Sequence, residues 1–141
     1  MGNTSSITRK VNFEDIQHII KTRKGILINT LSKEQQNCLI KNTVLIAKEE
    51  KIINAYLSND KSITIVVYDK NANAPNLMKK YEQLLGLGFT NVYIYPGGLF
   101  EWLCLQDIYG IMNFPTTKKE LDILKFKGKS VFSSYLLKDI D

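Results

Sequence analysis

Apolar residues along this chain follow two rhythms that alternate. Between Asn12 and Gly25 they recur every three or four positions, so Phe13, Ile16, Ile19 and Ile20 share one face, which predicts a helix. Asn12 suits the cap position, Glu14 and Asp15 place negative charge in the first turn, and Gly25 lies just beyond the basic end. The run ILINT (26–30) is short and continuous, the pattern of a buried strand. A helical turn is expected over LSKEQQNC (31–38) and a second strand over TVLIA (43–47). Residues 48–59 return to helical spacing with Ile52, Ile53, Tyr56 and Leu57, and Asn59-Asp60 mark the turn that ends them.

The rhythm then repeats. Ile63 to Val67 form a run of five β-formers leading into Tyr68, a small polar loop follows, and Leu77, Met78, Tyr81, Leu84 and Leu85 make one face of a helix over 76–88. Gly86 or Gly88 ends that helix, NVYIY (91–95) predicts another strand, and PGGLFEWLCLQ (96–106) a turn opening a hydrophobic helix. Strands alternating with helices imply a parallel sheet covered on both faces.

Composition narrows the picture. At 141 residues and 44% hydrophobic content the chain suffices for one domain with a sizeable core. The reading divides it into an N-terminal segment (1–10), an α/β domain (11–128) whose less regular part wraps the sheet from about residue 107, and a tail (129–141). No apolar run approaches the roughly 20 residues that span a bilayer, and the N-terminus lacks a secretory pattern, so a cytoplasmic location is expected. The net charge of +5 is scattered lysine, densest in KTRKG (21–25), TTKKE (116–120) and LKFKGK (124–129). A nucleic-acid surface requires such charges on one face with interleaved aromatics, so nucleic acid is not an expected partner. His18 and the two cysteines, Cys38 and Cys104, have no metal-ligand spacing, and neither a metal nor a cofactor is expected.

The chemistry, if any, belongs to the stretch SITIVVYDKNANAPN (62–76), where a strand meets a short loop and then a helix. α/β proteins place nucleophiles and phosphate cradles at such a junction, because the helix N-terminus presents free N–H groups there. Asp69 stands at the strand end. The stretch, together with Gly88-Phe89, Asn91-Val92-Tyr93, Gly97-Gly98 and Trp102 in order behind it, resembles the rhodanese-like superfamily of sulfurtransferases and Cdc25-type phosphatases. The resemblance spans about residues 11–106 and implies a five-stranded parallel sheet with helices on both faces.

In that family a cysteine thiolate sits in a ring of backbone N–H groups, followed by a glycine and an anion-binding cation. The pattern Cys-x-x-Gly-x-Arg-Ser laid on Asp69-Lys70-Asn71-Ala72-Asn73-Ala74-Pro75 puts Asp69 at the cysteine, Ala72 at the glycine, Ala74 at the cation and Pro75 at the small polar residue. Four departures together describe a disabled site. The resemblance therefore implies a catalytically inactive member in which the Asp69 carboxylate takes the N–H groups that would hold an anion. The loop then serves as a surface for a protein partner or a small anion. The alternative is a sulfurtransferase working through a thiol elsewhere, Cys38, provided that it is exposed. Cys104, Trp102 and one of Tyr93 and Tyr95 read as core, and His18 as a surface or packing residue. Asn29-Thr30 falls where many relatives carry Asp-x-Arg.

The chain starts Met1-Gly2-Asn3-Thr4-Ser5-Ser6, which satisfies the N-myristoylation pattern on Gly2. One acyl chain holds a protein only marginally, so Arg9, Lys10, Lys21, Arg23 and Lys24 are expected to add attraction to an anionic membrane surface. The reading is thus a binding or scaffold module on the cytoplasmic side, peripheral to a membrane when acylated.

Overall fold

A computed structural model describes residues 7–132. Its centre is a parallel sheet of β1 (Ile26–Asn29), β2 (Ile65–Tyr68) and β3 (Val92–Ile94) in the order β1-β2-β3. Ile26 pairs with Ile65 and Ile65 with Val92, and both strand pairs run in step from there. Helices α1 (Phe13–Thr22), α2 (Glu49–Asn59), α3 (Pro75–Leu87) and α4 (Gly98–Tyr109) cover both faces.

β2 shows why the two faces are both needed. All four of its residues are buried. Val66 and Tyr68 point to a core with Ile16 and Ile19 of α1 and Leu99, Trp102 and Leu103 of α4. Ile65 and Val67 point the other way, to Ile53 of α2 and Leu77, Tyr81 and Leu84 of α3. The period-2 alternation of a strand thus feeds two cores, which explains the unbroken apolar run in the sequence.

The five-stranded expectation is corrected in its detail. The described sheet has three strands, and its two outer positions are reduced to single parallel bridges, Lys10 with Ile94 and Leu27 with Thr43. The expected strand TVLIA (43–47) therefore makes one bridge and then leaves the sheet: Leu45 and Ile46 are 53% and 45% exposed, and Ile46–Lys48 winds into a 3-10 turn feeding α2. With neither side chain buried, nothing rewards a longer ladder there. At the opposite edge, Val11 N–H donates to Ile94 O and Ile94 N–H to Arg9 O, both 2.9 Å, so Arg9 to Val11 run along β3.

The helix ends follow the sequence closely. Asn12 caps α1 through its side chain to Glu14 and Asp15 N–H, with Asp15 returning the bond to Asn12 N–H. Pro75, read as loop, is the first residue of α3, a position where its missing N–H costs nothing. The chain after α4 turns back under the helix: Trp102 Nε1 donates to Pro115 O (3.1 Å) and its ring stacks edge-on to Phe114 at 5.0 Å. It then reaches a 3-10 turn over Ile123–Phe126 that buries Phe126 in the α1/α4 core.

Candidate functional site at the strand ends

The C-terminal ends of β1 and β2 bring Asn29, Thr30, Tyr68 and Asp69 side by side, held by a 2.9 Å bond from Thr30 N–H to Tyr68 O. Asp69 is only 4% exposed. Its carboxylate accepts from Thr30 Oγ1–H at 2.5 Å and from Lys70 N–H at 2.6 Å. A ring of loop N–H groups around Asp69 was expected; in its place are one N–H and one hydroxyl from the neighbouring strand. Asn73 N–H, further along the loop, donates to Asn71 Oδ1 (2.9 Å).

The next crossover closes the junction from behind. Leu99 N–H donates to Asp69 O (3.0 Å) and Phe100 N–H to Lys70 O (2.9 Å), so two of the free donors at the start of α4 go to the backbone at the loop base. Gly98 makes this approach possible. Its φ is +65°, and a Cβ there would lie 2.6 Å from Asp69 O and 2.9 Å from Lys70 O.

Thr30 and Asn29 do more than sequence reasoning assigned them. Buried Asn29 exchanges amide bonds with Gln36 (2.8 and 3.2 Å) and accepts from Leu31 N–H, which ties down the segment after β1. A cavity of about 540 Å³ opens beside this segment, lined in part by Thr30, Glu49, Lys79 and Lys80, with Lys80 paired to Glu49 at 2.5 Å. The irregular C-terminal stretch reaches the loop as well: Asn71 Nδ2 donates to Phe126 O at 3.0 Å. The signal was present in the sequence as an isolated aromatic, Phe126, in a lysine-rich run.

Neither thiol joins this centre. Cys38 is 4% exposed and donates to Lys118 O (3.1 Å), where burial pushes its thiol above the ordinary range. The exposure on which a reactive Cys38 depended is absent: Leu39 and Ile40 bury with it. The Cys104 thiol is half-buried and pushed up by desolvation and by the charges of Asp107 and Glu101. Tyr95 is buried and Tyr93 half-buried, with the Arg9 guanidinium over the Tyr93 ring and bonded to its hydroxyl at 2.6 Å. Trp102 is core, and His18 is exposed on α1. Gly2 lies outside the described residues. Among those residues no group of three His, Cys, Asp or Glu could hold a metal ion, and no helix is long and apolar enough to cross a membrane.

Comparison with known proteins agrees with this architecture. The chain resembles the solved Alr3790 protein from Anabaena sp. at 18% identity, covering 93% of this chain and 94% of that one with a TM-score of 0.56. The BH2092 protein from Bacillus halodurans matches at 19% identity over 73% of this chain and 74% of its own, TM-score 0.56. A thiosulfate sulfurtransferase from Pseudomonas aeruginosa matches at 16% identity and TM-score 0.55 over 69% of this chain but only 19% of its own length. At such identities these likenesses speak for the fold alone. A comparison with curated proteins gives no match. The family model described as rhodanese-like domain matches residues 12–104, well over half of the sequence, and the chain belongs to that family.

Proposed function

We propose that this rhodanese-like domain has given up sulfur and phosphoryl transfer and serves as a protein- or ligand-binding scaffold module, with the loop Asp69–Pro75 as its contact surface. The observation that carries the reading is the Asp69 carboxylate at the strand end, buried and bonded to Thr30 and Lys70 N–H. A carboxylate cannot carry a persulfide, and its charge repels thiosulfate and phosphate from the nucleophile position. Ala72 and Ala74 leave the loop without the glycine and the cation that the family pattern supplies there. Sulfur transfer through Cys38 finds no support, since that thiol is buried and held protonated.

Myristate on Gly2 completes the proposal as a reversible tether to the cytoplasmic face of a membrane. Lys21, Arg23 and Lys24 are exposed and available to anionic lipid, whereas Arg9 is engaged with Tyr93 and with Thr90 O at 2.8 Å.

The intact mass of protein made in a eukaryotic cell tests both parts, before and after incubation with thiosulfate, the substrate suggested by the Pseudomonas likeness. The expected spectrum shows a myristoyl-sized addition absent from Gly2→Ala and no sulfur-sized gain. A gain reversed by cyanide would restore the sulfurtransferase reading, and a bare Gly2 would remove the tether.

A further inference from the structure

We infer that the loop and the C-terminal segment together form a site for a phosphate group, with Lys70, Lys127 and Lys129 supplying its charge; the inference rests on reading the loop as a binding surface. The three lysines, with Asn71 and Asn73, line a cavity of about 250 Å³. No acidic residue lines it, and Asp69 is not part of it because its carboxylate turns to Thr30 on β1. Phosphate would therefore meet three cations and two amides without crossing the charge that blocks the nucleophile position.

The charge is assembled from two distant parts of the chain. Lys70 belongs to the loop, while Lys127 and Lys129 lie beyond the family match, which ends at residue 104. Among the described residues the ion pairs are Lys80 with Glu49 and Lys125 with Glu120, so Lys125 is neutralised while its neighbours two and four positions on are not. Three lysines line one small cavity with no acidic residue among them, and a doubly charged anion there would relieve their mutual repulsion while accepting charge-assisted bonds.

The arrangement is held in place before any ligand arrives. Phe126 is buried beneath the segment and its carbonyl accepts from Asn71, while a Cβ on Gly128 would lie 3.3 Å from Asn73 Nδ2. Lys127 has extended backbone (φ −65°, ψ 158°), and Lys127 and Lys129 both line the cavity. The start of α3, which has no side-chain cap, adds a favourable dipole at the same cavity wall, where Ala74 and Pro75 lie. The volume is below the roughly 300–1,000 Å³ of sites for drug-sized ligands, which fits a compact phosphate monoester and not a whole nucleotide.

Isotope-labelled full-length protein titrated with inorganic phosphate, against chloride at equal ionic strength, provides the test. Saturable shifts are expected at the amides of Lys70, Asn71, Asn73 and Lys127, with at least tenfold weaker binding in Lys127→Gln/Lys129→Gln and an otherwise unchanged spectrum. Vesicles of phosphatidylcholine with and without a phosphoinositide form the second arm. Lysine-dependent vesicle binding that phosphate competes away assigns a lipid headgroup, and saturation by phosphate without vesicle binding assigns a soluble phosphate compound. Shifts that fail to saturate, or equal binding by the double variant, overturn the site. A persulfide in the mass experiment overturns the non-catalytic reading and leaves this titration as it was, so the two failures are distinguishable.

Discussion

Two strand-to-helix crossovers leave the same end of the sheet, and each begins with a buried tyrosine. After Tyr68 the chain takes the loop Asp69–Ala74 into α3; after Tyr95 it takes Pro96-Gly97 into α4. The second is governed by backbone: Gly98 takes a left-handed conformation so that Leu99 and Phe100 N–H can reach the carbonyls of Asp69 and Lys70. The first is governed by side chains, Asp69 to Thr30 and Asn71 to Phe126 O. A backbone requirement admits one residue type, whereas side-chain bonds can be made by several. The fold therefore constrains Gly98 tightly and leaves position 69 open to an exchange of chemistry.

The largest effect should come from the constrained side. Gly98→Ala combines a left-handed conformation for a non-glycine residue with a Cβ inside contact distance of backbone atoms, and should cost about 3 kcal/mol or more in urea unfolding. Asp69→Ala removes two bonds to a charged group together with the cost of keeping that charge buried, so a loss of about 2 kcal/mol is expected. If the aspartate variant proved the less stable of the two, the contrast between backbone and side-chain control would be reversed.

A pH series separates the two tyrosines from the rest of the molecule. Burial pushes both hydroxyls well above 10.0, and at Tyr95 the hydrogen bond and charge of Glu101, 2.5 Å away, push further. The folded state then holds protons that the unfolded chain releases. The stabilisation is complete below the unfolded value near 10 and is lost as pH rises beyond it, by about 1.4 kcal/mol per pH unit for each such group. Alkaline unfolding followed by circular dichroism should show this slope, reduced by about one group in Tyr68→Phe and by another in Tyr95→Phe. Equal slopes in all three proteins would mean that neither hydroxyl stays protonated in the fold.

Hydrophobic rhythm carried most of the fold to the reader of the sequence. The unbroken run Ile63–Val67 indicated a strand buried on both faces, and Asn12 with Asp15 located the start of α1, because these signals act between near neighbours in the chain. TVLIA misled because a β-rich run forms a ladder only where both partner and burial are available, and Leu45 and Ile46 find neither. The candidate site was legible in its place at the end of β2 but not in its bonds. Thr30 lies 39 positions from Asp69 and Phe126 lies 55 from Asn71, and no local pattern encodes such pairs. The burial of Cys38 was illegible for the same reason: the carbonyl its thiol reaches, that of Lys118, lies 80 residues away.

The smallest effect is the most informative about the loop. Asp69→Cys supplies the residue type that the family pattern places there, yet thiocyanate formation from thiosulfate and cyanide should stay at the level of the unaltered protein. A thiol becomes a nucleophile where N–H groups and a cation lower its pKa. Here Leu99 and Phe100 N–H are already taken by the carbonyls of Asp69 and Lys70, and Ala72 and Ala74 bring neither backbone room nor charge. The loop's own cation, Lys70, lines the cavity beyond the carboxylate. Buried beside Thr30, the new thiol would be pushed up by desolvation, as the Cys38 thiol is. Turnover in this variant would mean that one residue, and not four, separates the loop from catalysis, and that side-chain control of this crossover extends to its chemistry.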